Sequence, residues 1–482
     1  MTRLDRTSLP TLTPREDLVL PSHLPADGAP SGIVHFGIGA FHRAHQAVIT
    51  QAAMEDTGDD SWWITGVTQR SDSVRRQLAP QDGLYTVLEK SPAGAKAQVI
   101  SAVREVIFPA EQQDRLDALL ADPALRIITL TVTEKGYRRR ADGRLDLSDP
   151  LVAADIAGGA GAAPASAVGR LARGLQGRAR AGGAPITVVC CDNLTANGEV
   201  LERLVRDFAE ALPAAEAEEL TAFLDAHVRF PSTMVDRIVP ATTDADRTEG
   251  RAILGLEDAG LVVAEPFLQW VVEDSFAGER PAWEQGGAQL TADVAPFELM
   301  KLRTLNGAHS TLAYLGALRG HETIAESVAD PQVLQAARDL IAQDVIPTLT
   351  APDGTDLVAY GETVLERFAN PALAHRTVQI AMDGSQKLPL RLLGTIRDRR
   401  TAGAEPLAAA RGVAAWMAYV ASDLPLDDPI ADRLAQLARG RTDAGAIVEN
   451  LLGVREVFGE DLPADAWLRG VLRDEVACLL AR

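Results

Sequence analysis

Four short runs rich in β-branched residues limit the fold of this chain more than any other feature. They are Ile33-Val34-His35-Phe36, Trp62-Trp63-Ile64-Thr65-Gly66-Val67, Arg126-Ile127-Ile128-Thr129-Leu130-Thr131-Val132 and Ile186-Thr187-Val188-Val189-Cys190-Cys191. Turn formers such as Asp27-Gly28-Ala29-Pro30 and Asp56-Thr57-Gly58 bound the first two, and helix-compatible segments separate the runs. Strands alternating with helices predict a mainly parallel, doubly wound α/β sheet. From about Asp293 onward strand-like runs become rare and helical periodicity takes over, as in Val333 to Ile341 and Val413 to Ala421. At 482 residues the chain exceeds what one hydrophobic core organises. We therefore expect an N-terminal α/β domain over 1–290 and a mainly α-helical C-terminal domain over 291–482. The Ala- and Gly-rich stretch between Ala153 and Ala184, including Gly158-Gly159-Ala160-Gly161-Ala162-Ala163, reads as a surface loop leading into a helix around Val168 to Gln176. No internal repeat is present.

Charge narrows the partners. With 47 Lys plus Arg against 67 Asp plus Glu, the formal charge is −20, which repels phosphate backbones and anionic membranes. Nucleic acid and membrane surfaces are thereby disfavoured, and a small-molecule partner is expected. The first 25 residues hold no uninterrupted apolar segment with a small-residue cleavage site, and no later run reaches the length of a membrane span, so a soluble cytoplasmic protein is expected. Three cysteines, Cys190, Cys191 and Cys478, cannot form a disulfide framework. The adjacent pair would alternate faces on a strand and cannot easily share a metal, so no metal site is expected.

Several residues carry chemistry. Gly37 and Gly39 directly follow the first run and open a helix-compatible segment, where backbone N–H groups can approach a pyrophosphate. His42 stands where a third glycine is usual, so the turn alone also fits an ordinary strand-to-helix connection. No acidic ribose ligand follows Val67; Arg70 stands there instead, which suits a 2′-phosphate and leaves NADP open. In the segment Lys301 to His309, at about 100° per residue, Lys301, His309 and Asn306 fall at roughly 0°, 80° and 140° on one side of a helix. A lysine pressed against an apolar face loses solvation, and its pKa falls toward that of a usable base. The plain alternative is a snorkelling lysine beside a satisfied core His and Asn. Asn193, at the end of the fourth run, is placed to reach a substrate oxygen, although Asn-rich turns are also common there.

Taken together these stretches resemble the mannitol dehydrogenase family of polyol dehydrogenases, which includes fructuronate reductases. The resemblance is carried by Gly37-Ile38-Gly39-Ala40-Phe41-His42-Arg43-Ala44-His45, Thr133-Glu134-Lys135-Gly136-Tyr137, Cys191-Asp192-Asn193, and Phe230-Pro231-Ser232-Thr233-Met234-Val235-Asp236-Arg237-Ile238. It continues through Glu265-Pro266-Phe267, Gln269-Trp270, Lys301 to His309, and Asp383-Gly384-Ser385-Gln386-Lys387-Leu388-Pro389. It implies a Rossmann-like N-terminal domain and a helical C-terminal domain. It also accounts for His42, since the family carries His at that position.

By the family pattern Gly37, Gly39, Phe41 and His42 bind the cofactor, expected to be NAD, with Arg70 bearing on NADP. Lys301 is then the general acid/base, Asn193 and Asn306 stabilise the developing alkoxide, and His309 orients Lys301 or the substrate. Asp236 contacts substrate hydroxyls and Glu134 assists proton exchange. Mannitol 2-dehydrogenases of the family carry Arg where this chain has Gln379. The surroundings, His375-Arg376-Thr377 and Gln386-Lys387, resemble fructuronate reductases, whose substrate carboxylate Arg376 or Lys387 would pair with. The expected reaction is the metal-independent interconversion of D-mannonate and D-fructuronate. D-mannitol/D-fructose is the alternative, and a sugar-binding protein without turnover the reading from another class.

Overall fold

The computed structural model describes residues 2–140, 142–159 and 162–481. The chain divides into two compact units, Met1–Ala295 and Pro296–Arg482.

The first unit is organised by six parallel strands, β1 (Ile33–Phe36), β2 (Ile64–Val67), β3 (Val103–Ile107), β4 (Ile127–Leu130), β5 (Ile186–Cys190) and β6 (Val228–Arg229). Their order in the sheet is β3-β2-β1-β4-β5-β6, all neighbours parallel. This is the dinucleotide-binding doubly wound order, whose direction reverses at β1 and β4. Side chains of alternate residues feed two cores. Val34, Phe36, Ile128, Leu130, Val188 and Cys190 enter one, and Ile33, Ile64, Ile127, Val189 and Cys191 enter the other. The adjacent cysteines thus lie on opposite faces, as period-2 alternation requires. Both faces are covered, so the strands read as continuous apolar runs.

Two smaller sheets were not evident from sequence. One joins Leu18–Val19, Gly94–Ile100, Tyr85–Ser91 and Val262–Ala264; the other joins Thr233–Asp236, Gln269–Glu273 and Gln289–Thr291. The second predicted strand starts later than expected, because Trp62 belongs to a turn that Asp59 caps through Ser61 N–H and the Trp62 indole. The Ala- and Gly-rich stretch is mostly helix. Asp149 caps Pro150–Ala157 and Ser166 caps Ala167–Arg180, and alanine's high helix propensity outweighs the interspersed glycines. Among the described residues of the stretch, 158, 159, 162–166 and 181–184 are non-helical, and Ala160 and Gly161 of the expected loop lie outside the described residues.

The second unit is helical. Leu407–Ala421 is buried nearly all round and packs against Gly307–Leu318 and Ala466–Leu480. Among the described residues no helix is long and apolar enough to cross a membrane.

Arg178 ties the first unit together. It is 1% exposed and has no carboxylate partner among the described residues. Its guanidinium donates instead to the carbonyls of Ala184 (2.7 Å), Leu120 (3.0 Å), Asp122 (2.9 Å), Leu125 (2.8 Å) and Pro185 (3.3 Å). Leu120 and Asp122 lie at the C-terminal end of helix Pro109–Ala121, where the helix dipole favours a cation. Burial pushes its pKa down to about 10, which leaves it charged at neutral pH. Arg178→Met should therefore lower unfolding free energy by about 3–5 kcal/mol, since it strands several buried acceptors at once. Arg178→Lys, with three donors, should fall between the two. Urea denaturation decides it, and a loss below about 1 kcal/mol for the methionine variant contradicts the account.

Candidate active site

The turn after β1 requires glycine. Gly37 adopts φ +95°, and a Cβ there would lie 2.1 Å from the Thr131 carbonyl oxygen. Its N–H donates to the Val67 carbonyl at 2.8 Å, fixing the turn to β2. Gly39 caps helix Ala40–Ala44, and a Cβ there would meet nothing closer than 3.7 Å, so its surface is open to close approach by a ligand. The third glycine of the usual fingerprint permits close packing of helix on strand. Here the space is filled by stacked imidazoles: the rings of His42 and His35 lie 3.4 Å apart at 14°. Thr129 Oγ1 (2.7 Å) and Thr131 Oγ1 (2.8 Å) hold the two nitrogens of His35. Burial lowers the His35 pKa to about 3, and burial followed by the charge of His35 lowers that of His42 well below its usual value. Both rings are therefore neutral near pH 7. Phe41 stacks on His45 at 4.9 Å.

Arg237, the residue after Asp236, supports this helix from below. Its guanidinium donates to the Ala44 carbonyl (2.5 Å) and the Glu265 carbonyl (2.9 Å) and pairs with Glu89. At the tip of β2, Arg70 is exposed. The guanidinium buried at that tip is Arg170, donating to Gln69 Oε1 at 2.5 Å and to the Pro164 carbonyl at 3.2 Å. Sequence inspection missed it because it sits on a helix about a hundred residues further on. Glu134 and Asn193 are exposed just beyond the carboxyl ends of neighbouring strands β4 and β5, where ligands of open α/β sheets gather. Asp236 is buried at the end of strand Thr233–Asp236.

The second unit holds the other group of expected residues. Lys301, Asn306 and His309 are all buried, at 8%, 7% and 9% exposure. The α-helix expected across them is interrupted. Lys301–Asn306 is a π-helical segment between helices Ala295–Met300 and Gly307–Leu318. Its i→i+5 bonding brings Lys301 and Asn306 closer to one side than the 140° of an α-helix, and such segments are frequent at functional sites. A second π segment, Pro389–Leu393, packs on it, and Arg391 donates from there to Ser310 Oγ (3.0 Å) and the Asn306 carbonyl (3.5 Å). His309 stacks on Phe368 (4.5 Å) and His375 (5.7 Å). Burial, then His375, Arg391, Lys387 and Arg367, depress its pKa well below the usual value.

The start of helix Gly384–Leu388, which carries Lys387, is built tightly. Asp383 adopts φ +55°, a Cβ on Gly384 would lie 2.3 Å from the Trp416 indole nitrogen, and Ser385 donates through N–H (2.8 Å) and Oγ (2.6 Å) to Asp428. Arg376 differs: it is exposed, and it does not rank with the largest charges acting on His309. Arg367 and Arg391 do, and sequence inspection had not singled them out. Among the described residues no group of three or more His, Cys, Asp or Glu is arranged to hold a metal ion.

Residues 31–285 match the mannitol dehydrogenase Rossmann domain and 293–477 the mannitol dehydrogenase C-terminal domain. The chain is 43% identical to D-mannonate oxidoreductase of Escherichia coli, over 90% of each chain. It is 35% identical to mannitol 2-dehydrogenase of Pyrenophora tritici-repentis, over 91% of this chain and 78% of that one. Among solved structures, mannitol 2-dehydrogenase of Pseudomonas fluorescens in ternary complex with NAD and D-mannitol superposes with a TM-score of 0.85 at 35% identity, covering 99% of this chain and 97% of that one.

The stacked imidazoles give the nucleotide turn a pH dependence. A histidine whose folded pKa lies below its unfolded value of about 6.5 contributes its full stability above that value and loses it as pH falls toward the folded value, here near 3 for His35. His42→Phe keeps an aromatic ring and removes one such group. Unfolding free energies from urea denaturation between pH 7 and 4 should fall less steeply in His42→Phe than in wild type, by up to about 1.4 kcal/mol per pH unit. Parallel profiles would refute the neutral His42 assignment.

Proposed function

The chain belongs to the mannitol dehydrogenase family, and on that footing we propose that it is an NAD-dependent oxidoreductase interconverting D-mannonate and D-fructuronate. The basic surroundings of His309 carry the sugar-acid reading: Arg391, Lys387 and Arg367 bear on one buried, neutral imidazole in a chain whose net charge is −20. Positive charge gathered locally against a negative whole suits a substrate with a carboxylate, which Lys387 and Arg391 would engage by charge-assisted hydrogen bonds. The 43% identity to a D-mannonate oxidoreductase supports the same reading. A second reading, D-mannitol and D-fructose, is favoured by the likeness to mannitol 2-dehydrogenases.

The cradle after β1 suits a dinucleotide, because Gly37 keeps the turn tight and Gly39 leaves backbone uncovered. Bound there, NAD would supply the hydride acceptor. The chain's own residues then manage the proton and the oxygen charge. A hydride leaves a carbinol carbon only as its oxygen becomes anionic, so amide donors from Asn193 and Asn306 stabilise the transition state more than the ground state. Lys301 takes the hydroxyl proton, His309 orients it, Asp236 holds substrate hydroxyls, and Glu134 passes the proton to solvent.

Two measurements test this. Following NADH absorbance, kcat/KM for D-fructuronate should exceed that for D-fructose by about 10–150-fold, the range of a charge-assisted hydrogen bond worth about 1.5–3 kcal/mol, and Lys387→Met should erase most of the difference. Equal rates, or a preference for fructose, overturn the sugar-acid assignment. Lys301→Ala should lower kcat by about 10²–10⁴-fold with cofactor affinity nearly unchanged; activity within a few-fold of wild type removes Lys301 from the proposed chemistry.

A further inference from the structure

One residue not singled out from sequence ties together several segments that carry the first unit's candidate residues. Asp192 follows β5 by two positions and is 9% exposed. Its carboxylate accepts the N–H of Val132 (2.8 Å), the N–H of Thr133 (2.9 Å) and the hydroxyl of Tyr137 (2.6 Å). All three donors lie on the segment after β4 that carries Glu134. Asn197 works on the backbone of the same residue: its amide nitrogen donates to the Asp192 carbonyl (3.0 Å) and to that of Thr233 (2.9 Å), while its oxygen accepts the Thr233 N–H (2.8 Å). Thr233 opens the strand that ends at Asp236, and its hydroxyl donates to the Cys190 carbonyl at 2.6 Å.

Thr133 adds a second kind of observation. It adopts φ +71°, ψ 153°, a left-handed conformation that is a true outlier for a β-branched residue. Such backbone strain persists only where the surroundings over-determine it. Here the surroundings are the Asp192 carboxylate on the Thr133 N–H and the N–H before it. The strain is carried at the residue next to Glu134, which is where a displaced backbone would move that side chain most.

We propose that Asp192, seconded by Asn197, is the positioning residue of the first unit's candidate residues. Through its side chain it sets the loop of Glu134, through its place in the chain it sets Asn193, and through Asn197 it sets the strand of Asp236. It touches no reacting atom and acts only through these three. The proposal rests on the roles given above to Glu134, Asn193 and Asp236.

Asp192→Asn tests it with almost no change in shape. Either orientation of the amide turns its NH₂ toward a backbone N–H, so one of the two main-chain bonds must break, that of Val132 or that of Thr133, and the two-point clamp on the strained Thr133 backbone is loosened. Hydrogen exchange of the Asn variant should show protection lost over residues 131–137 and kept over β4 itself. Turnover should fall 10–100-fold while the NADH dissociation constant, measured by fluorescence titration, stays within about three-fold. Adding Thr133→Gly, which tolerates a positive φ without the clamp, should return at least three-fold of the lost kcat. Tyr137→Phe removes a single donor, should lower kcat three- to ten-fold with NADH affinity unchanged, and decides the matter if the Asn variant does not fold.

Unchanged exchange with kcat within three-fold of wild type overturns the proposal. So does a parallel loss of stability, NADH affinity and kcat without rescue by glycine, since that marks an ordinary buried carboxylate. The exchange measurement needs no substrate. A wrong substrate assignment therefore shows as inactivity of the wild type and leaves that arm intact.

Discussion

A parallel sheet covered on both faces confines chemistry to the ends of its strands. In the six-stranded sheet here every residue of β1, β4 and β5 is buried, and their side chains serve two separate cores. Only where the strands stop does backbone become available, and there the chain must either satisfy its polar groups or present them to a ligand. The loops after β1, β4 and β5 do both. Gly37 gives its N–H to β2, Cys191 gives its N–H to the Leu130 carbonyl, and the Asp192 carboxylate takes up two N–H groups just beyond β4. With those groups settled, Gly39, Glu134 and Asn193 remain exposed at the same edge.

The same constraint explains which parts of the fold were legible in the sequence. β1, β2, β4 and β5 announce themselves as β-branched runs because both of their faces are apolar. β3 and β6 do not: Val103–Ile107 places Arg104 and Glu105 at half-buried positions, and Val228–Arg229 is two residues long. The strand ending at Asp236 is read as a motif before it is read as a strand. Its neighbours, Gln269–Glu273 and Gln289–Thr291, are set by pairing across long separations that local pattern does not encode.

At the candidate site, glycine positions and the run from Lys301 to His309 were visible because they are local. What local inspection cannot supply is partnership. His42 was legible as the residue in place of a third glycine, while its stacking on His35 was not. Arg170 on Gln69 at the tip of β2, Arg178 on the carbonyls of Leu120, Asp122 and Leu125, and Arg391 on the Asn306 carbonyl each reach across roughly 50 to 100 residues of chain. A charged side chain that will be buried looks, in sequence, like one that will be solvated. The distinction lies in whether carbonyls or amides converge on it, and that convergence is a property of the fold.

The π segments of the second unit show the limit most sharply. A helical wheel assumes 3.6 residues per turn throughout, and on that assumption Lys301 and Asn306 diverge by about 140°. The i→i+5 segment Lys301–Asn306 departs from that period where it matters, and a π turn set within α-helix leaves a carbonyl out of the regular i→i+4 ladder. Arg391, itself on the π segment Pro389–Leu393, donates to the carbonyl at the end of the first. Two local departures from helical period are thus coupled by one guanidinium, and that guanidinium also lowers the pKa of His309 one turn further on. The irregular backbone, the neutral imidazole and the concentration of positive charge are consequences of a single packing arrangement. A substitution at Arg391 would remove the bond to the Asn306 carbonyl and one of the charges beside His309 together, whereas Arg376 is exposed.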